Sequence, residues 1–294
     1  MWTYLRSLWD RLASKDGIMA ETSLRVRNLS KTYRDGNGLG PVEAVRAKTY
    51  RDGNGLGPVE AVRDVSFDLG RNEFVSVVGP SGCGKTTILK IIAKLVEPTG
   101  GTIDLAASPG NQDLLFVFQD YNRSLLPWRT VRRNVQLGLE DRHLSEELLQ
   151  HRTTDMLKLV ELEDFAAHFP WQLSGGMQQR VALARALVCE PRMLLMDEPF
   201  GSIDALNRGA LEDDLLRLWQ KSGISVLLVT HDIDEAIYLS QRIIVLTARP
   251  SRVQAEIQVN LPYPRRQLET RNSPEFGRLR QSIYGMLGRV TRET

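Results

Sequence analysis

Short apolar runs broken by polar turns set the rhythm of this 294-residue chain. LRVRNLSKTY (24–33) reads as a strand, and VEAVRDVSFDL (59–69) reads as another. The stretch between them is rich in Gly, Asn, Asp and Pro, which predicts a long loop. EFVSVV (73–78) is apolar and rich in β-branched residues, and ILKIIAKL (88–95) after it reads as a helix. MLLMDE (193–198) and SVLLVTHD (225–232) begin as buried strands and end in polar residues. The first of these is expected in the sheet core beside the 73–78 strand. Residues 120–170 carry a mostly helical pattern, with Leu148, Met156, Leu157 and Leu159 as candidate core positions. No apolar run approaches the length of a membrane span. Any membrane association is therefore expected to run through a partner protein.

The long loop holds an oddity. KTYRDGNGLGPVEAVR occurs at 31–46 and again at 48–63, separated by Ala47. Two copies are too few for a solenoid. They fit a local duplication within a loop-bearing segment, where closure entropy grows slowly with added length.

Chemistry concentrates at the strand ends. GPSGCGKTT (79–87) follows the 73–78 strand and opens the next helix, matching GxxxxGK[ST] with Gly79, Gly84, Lys85 and Thr86 in the fixed places. Pro80, Ser81, Gly82, Cys83 and Thr87 complete the loop. Its glycines let backbone N–H groups converge on phosphate oxygens, and the helix N-terminus adds positive potential. Lys85 supplies a point charge for the β and γ phosphates, and the Thr86 hydroxyl is a Mg²⁺ ligand. Cys83 reads as a tolerated small residue. Asp197 ends its strand as a second Mg²⁺ holder, and Glu198 lies one residue nearer the γ phosphate to orient or deprotonate water. An adjacent acidic pair is often only a solvated strand end, but here it follows a phosphate loop. The 225–232 strand ends at His231, either a capping or surface histidine or, at the C-terminal end of a sheet strand, one that can reach a γ phosphate. Asp204 reads as a turn or capping residue before an amphipathic helix.

LSGGMQQRVALARAL (173–187) reads as helix from Met177, with Ser174 near the cap and Gly175 and Gly176 exposing backbone N–H groups. This is a second anion site in a chain that already holds one phosphate loop. Either it closes over ATP bound to another copy of the chain, or it is a plain helix start with flexible glycines.

Taken together, residues 24–261 resemble the nucleotide-binding subunit of ABC transporters, with LSGGMQQR as the most specific element. The resemblance implies an α/β fold: a RecA-like P-loop ABC ATPase core, an antiparallel β subdomain and an inserted helical subdomain at about 120–185. It sets residues 1–23 apart as an N-terminal extension, 31–63 as a duplicated loop segment and 262–294 as a helical tail. It further implies ATP and Mg²⁺ as cofactors, Gln119 as a sensor of γ phosphate and metal, Asp197 as metal-linked, Glu198 as catalytic and His231 as the switch histidine. Asp204 would lie in the loop crossing the dimer interface, and ATP would sit between the phosphate loop of one copy and Ser174–Gly176 of the other. The family also stacks an aromatic side chain on adenine. Tyr33 is favoured because it directly follows the first strand, while Tyr50 lies in the second repeat copy. Two departures stand out: this repeat, and Ser202 in FGSID where the family usually has alanine.

The partners implied are a second copy, transmembrane permease subunits and, indirectly, a periplasmic or extracellular solute-binding protein, at the cytoplasmic face of the membrane. LLPWRTV (125–131) either meets the permease or anchors local packing through Trp128. The phrasing of LLPWRTV, MDEPFG, THDIDEAIYLS and TARPSRV resembles an importer branch handling nitrate, alkanesulfonates and taurine. Rival readings are a soluble ABC ATPase working on DNA or ribosomes and a non-hydrolysing regulatory module. The first would bring duplicated cassettes, a coiled coil or a basic insert. The second is opposed by Lys85, Glu198 and His231.

Composition alters this little. Lys plus Arg number 38 against 36 Asp plus Glu, a net charge of +2 that gives no reason to expect a nucleic-acid partner. Cys83 and Cys189 form no metal-ligand or redox pair, which fits a reducing compartment.

Overall fold

The computed structural model describes residues 22–33, 58–106, 114–117, 124–201 and 205–290. Gln119, Tyr50, Ser202 and Asp204 lie outside the described residues, as do segment 1–21 and most of the duplicated loop.

The chain runs through strands β1 (Thr22–Tyr33), β2 (Val59–Gly70) and β3 (Phe74–Val78), then helix α1 (Lys85–Ile92), β4 (Gly100–Leu105) and β5 (Leu114–Val117). Helices α2 (Val131–Gln136), α3 (Glu146–Leu159) and α4 (Gly175–Leu187) follow, then β6 (Met193–Asp197), α5 (Ala205–Ser222) and β7 (Ser225–Val229). Last come α6 (Ile233–Leu239), β8 (Arg242–Leu246), β9 (Val253–Gln258), α7 (Gln267–Arg271) and α8 (Pro274–Val290).

Two sheets result. One is antiparallel in the order β2-β1-β4, and the other has six strands in the order β5-β6-β7-β3-β8-β9. The larger sheet is parallel apart from its edge strand β9. The four strands β6, β7, β3 and β8 are buried along their whole length, as a parallel sheet covered on both faces requires. Their side chains alternate between two cores. Phe74, Leu194, Val226 and Ile243 face the helices α5, α6 and α8. Val75, Leu195, Leu227 and Ile244 face α1 and the antiparallel sheet.

Strand order corrects one expectation. β6 is not beside β3, because β7 pairs with both and separates them. Apolar patterning says that a strand is central, but a run buried on both faces is equally at home in any central slot. The parallel arrangement still brings the C-terminal ends of β6, β7 and β3 to one edge.

The helices α2, α3 and α4 enclose a third core of Val131, Val135, Leu139, Leu157, Val181 and Val188. α4 joins this core to the sheet, since Leu183 and Leu187 on another of its sides pack with Leu194 and Met196. Leu157 is fully buried, but Leu159 is 41 % exposed, so it is not a core residue. It lies two positions from Leu157, and residues two apart on a helix point in different directions. Trp128 is 72 % exposed and anchors no packing. None of the described helices is long and apolar enough to cross a membrane.

Candidate active site

The phosphate loop is shaped by two glycines in a backbone region that other residues rarely adopt. Gly82 has φ +74° and Gly84 φ +118°. A Cβ on Gly84 would also approach the Ala61 carbonyl oxygen to 2.9 Å. Gly84 caps α1, so the loop delivers Lys85 into the first helical turn, where unpaired N–H groups and the helix dipole favour an anion. The Lys85 ammonium is almost fully buried and donates to the carbonyls of Gly79 at 2.8 Å and Pro80 at 3.1 Å. This curls the long side chain over its own loop. Cys83 is 1 % exposed, and burial pushes its thiol up from the usual range. A protonated thiol packed into the loop is inert, which leaves it a space-filling role.

Strand ends bring the remaining groups to the same edge. The Thr86 hydroxyl donates to Asp197 Oδ1 at 3.0 Å, bridging α1 and β6 across the width of β7. Glu198, the next residue, holds a left-handed backbone (φ +47°), uncommon without glycine and costly in free energy. Its N–H donates to the Val229 carbonyl at 2.8 Å, fixing the turn against the end of β7. Its carboxylate Oε2 lies 3.2 Å from His231 Nδ1. The His231 side chain is 61 % exposed, so its ring faces outward from the sheet edge.

Tyr33 ends β1 beside the loop. Its hydroxyl lies 3.4 Å from Thr87 Oγ1, and the Lys31 ammonium sits 5.0 Å from its ring centre. The antiparallel sheet thus carries an aromatic ring to the phosphate loop.

The residues at 174–176 stand apart. Ser174 caps α4 and its hydroxyl accepts from the Met177 N–H. Ser174 and Gly175 are exposed, and among the described residues no hydrogen bond or ion pair joins 174–176 to 79–87. α4 does touch the turn after Glu198, because the buried Gln179 amide donates to the Pro199 carbonyl. Arg180 binds Asp214 on α5 at 3.1 Å. These ties were not visible in sequence, because nothing local to LSGGMQQR names the distant partners. Gln119 and Asp204 lie outside the described residues, and their placement adds nothing here.

The donor set fits Mg²⁺. Thr86 Oγ1 and Asp197 Oδ1 are hard oxygen ligands 3.0 Å apart beside a phosphate loop. Among the described residues no group of three or more His, Cys, Asp or Glu forms a metal cage. Mg²⁺ bound with substrate phosphates needs only one or two protein oxygens, with waters completing its shell.

Comparison with known proteins agrees with this geometry. Residues 62–201 match the family described as ABC transporter. A nitrate import ATP-binding protein of Synechocystis sp. is 42 % identical over 241 residues, covering 79 % of this chain and 90 % of that protein. An aliphatic sulfonates import ATP-binding protein of Bacillus licheniformis is 43 % identical over 224 residues, covering 75 % and 84 %. A solved structure described as the dimeric post-hydrolysis state of an ATP-binding cassette, bound to ADP and Pi, shares the fold with a TM-score of 0.64 and 32 % identity. That likeness covers 81 % of this chain and all of the other. Such identity, sustained over most of the length of these relatives, places this chain in the ABC transporter ATP-binding family.

Proposed function

We propose that two copies of the chain sandwich ATP between the phosphate loop of one and Ser174–Gly176 of the other, and hydrolyse it to drive solute import through a membrane permease. The convergence of Thr86, Asp197, Glu198 and His231 on one sheet edge carries this reading. The exposed Ser174, bonded among the described residues only within its own helix start, supports the two-chain arrangement, as does the dimeric solved relative.

In this mechanism the loop N–H groups of residues 81–86 and Lys85 hold the phosphates. Tyr33 stacks on adenine. Thr86 and Asp197, with Gln119, would hold Mg²⁺, which neutralises charge building on the phosphate oxygens. Glu198 orients the attacking water and takes its proton as the new P–O bond forms and ADP leaves. With Nδ1 beside Glu198, the Nε2 edge of His231 is left to face the γ phosphate, to which it donates when both ring nitrogens carry protons. Asp204 would take the dimer-interface role that the family resemblance assigns it.

The permease, a solute-binding protein acting through it, and a place on the cytoplasmic membrane face complete the assembly. The cargo class is a small solute such as nitrate or an alkanesulfonate, supported by the two import relatives, or a taurine-like compound, which the sequence resemblance adds. Steady-state phosphate release from purified protein tests hydrolysis. Glu198→Gln is expected to lower it by about 10²–10⁴-fold, the usual weight of a positioned general base. Equal rates for both proteins would rule the mechanism out.

A further inference from the structure

His231 leads directly into the first turn of α6, and that turn is held from two other helices. Asp232 caps it, its Oδ1 accepting from the N–H groups of Asp234 at 2.9 Å and Glu235 at 3.2 Å. The Asp232 N–H donates to Thr230 Oγ1 at 3.0 Å, tightening the chain on either side of His231. The second Asp232 oxygen receives Arg208 Nη1 of α5 at 3.1 Å. Asp234 is gripped from the C-terminal helix: Arg280 Nε and Nη2 donate to its two carboxylate oxygens, each at 2.6 Å. This paired geometry fixes orientation as well as distance.

The helix that delivers Arg280 is itself anchored. Phe276 and Ile283 are fully buried. Upstream in the tail, Arg271 binds the buried Glu212 at 2.6 Å, and Arg265 donates to the Tyr238 and Ser240 carbonyls at the far end of α6 at 2.7 and 2.9 Å. The tail thus holds α6 at both ends, and only the cap Asp232 separates His231 from the first residue of α6.

We propose that Arg280 and Arg208 are positioning residues for hydrolysis, which hold the first turn of α6 so that His231 meets Glu198 at the sheet edge. The inference rests on the role assigned to His231 above. Both ion pairs are partly exposed, with Arg280 40 % and Asp234 27 % accessible, and pairs of that kind add little to stability. Their weight lies in orientation, where small displacements of a catalytic group cost rate.

A mutant cycle on the full chain tests this, with ATP turnover, KM and thermal midpoint measured for each protein. Arg280→Gln is expected to lower kcat about threefold, and the double Arg208→Gln/Arg280→Gln about tenfold, with KM for ATP nearly unchanged. Arg280→Lys, which keeps charge but not the paired geometry, should fall between wild type and Arg280→Gln. In a His231→Ala background the same substitutions should cost nothing further, because their effect runs through that ring. An unchanged kcat in the double variant, or an equal loss with and without His231, would overturn the inference. A His231→Ala protein with wild-type kcat would instead remove the role assigned to His231, and the inference with it. Should Arg280→Gln not fold, the exchanged pair Asp234→Arg/Arg280→Asp should recover both fold and turnover. Recovered folding without recovered turnover would overturn the inference.

Discussion

The phosphate loop and the Ser174 segment are both glycine-bearing helix starts, yet the fold treats them oppositely. The loop is built in: Lys85 is buried, Thr86 is bonded to Asp197, and the Gly84 backbone is wedged against Ala61. Ser174 and Gly175 are exposed, and Ser174 spends its side chain on its own helix. One anion site is finished within the chain, and the other is presented outward. The contrast is what a site divided between two copies requires, and each half can be broken separately.

The largest effect is expected at the exposed half. Ser174→Arg puts a long cation where the partner's ATP would dock and removes a helix cap. Hydrolysis should fall by at least about 100-fold while ATP binding to the isolated chain is retained, since the loop is untouched. Equilibrium ATP titration beside phosphate release would check both. A parallel loss of binding would show that the two halves are not separate.

On the built-in half, Tyr33→Ala should weaken ATP binding about tenfold, the scale of one base–aromatic stack, and weaken GTP binding similarly. Tyr50→Ala should do nothing. If only the Tyr50 change weakened binding, the adenine partner would be the second repeat copy.

The smallest effect concerns the helices behind the site. Glu235 is 3 % exposed, and burial, with Glu212 and Asp232 nearby, pushes its carboxyl well above the usual carboxylate range, only partly offset by Arg208 and Thr230. A raised folded-state pKa means that folding favours the neutral form. The associated stability is complete below about 4.5, the unfolded value, and is lost as pH rises through the folded one. Glu235→Gln stays neutral throughout. Its melting temperature should match wild type in acid and exceed it by about 2–4 °C once pH passes the folded value. Asp214 is raised by burial too and lies outside this pair, so its slope is common to both proteins, whereas Glu212, which faces Glu235, shares in the difference. A constant difference across pH would show that Glu235 does not titrate with folding.

How much of this was legible in the chain depends on how local each signal is. GPSGCGKTT, MLLMDE and SVLLVTHD each carry their strand and their chemistry in one stretch, so the residues at the sheet edge could be read directly. The order of the strands could not, because MLLM and SVLLV are both apolar enough for any central slot, and β7 takes the place beside β3. The left-handed backbone at Glu198 had no glycine to announce it. Gln179, Arg208 and Arg280 were missed because each meets its partner, Pro199, Asp232 or Asp234, only through tertiary packing. One partial signal existed: Asp232 directly after Thr230 and His231, followed by Asp234 and Glu235, is an N-cap pattern, and it marked the turn that α5 and α8 hold.

The division of the site between two chains is tested most directly by mixing two disabled proteins. Lys85→Ala removes the phosphate clamp, and Ser174→Arg removes the lid. Each alone should be inactive. A mixed pair has one composite site in which the loop of the Ser174→Arg chain meets the lid of the Lys85→Ala chain, so titrating one into the other should restore phosphate release, peaking near equal amounts. No restoration in a mixture whose mixed dimers form, or full activity from either protein alone, would contradict it.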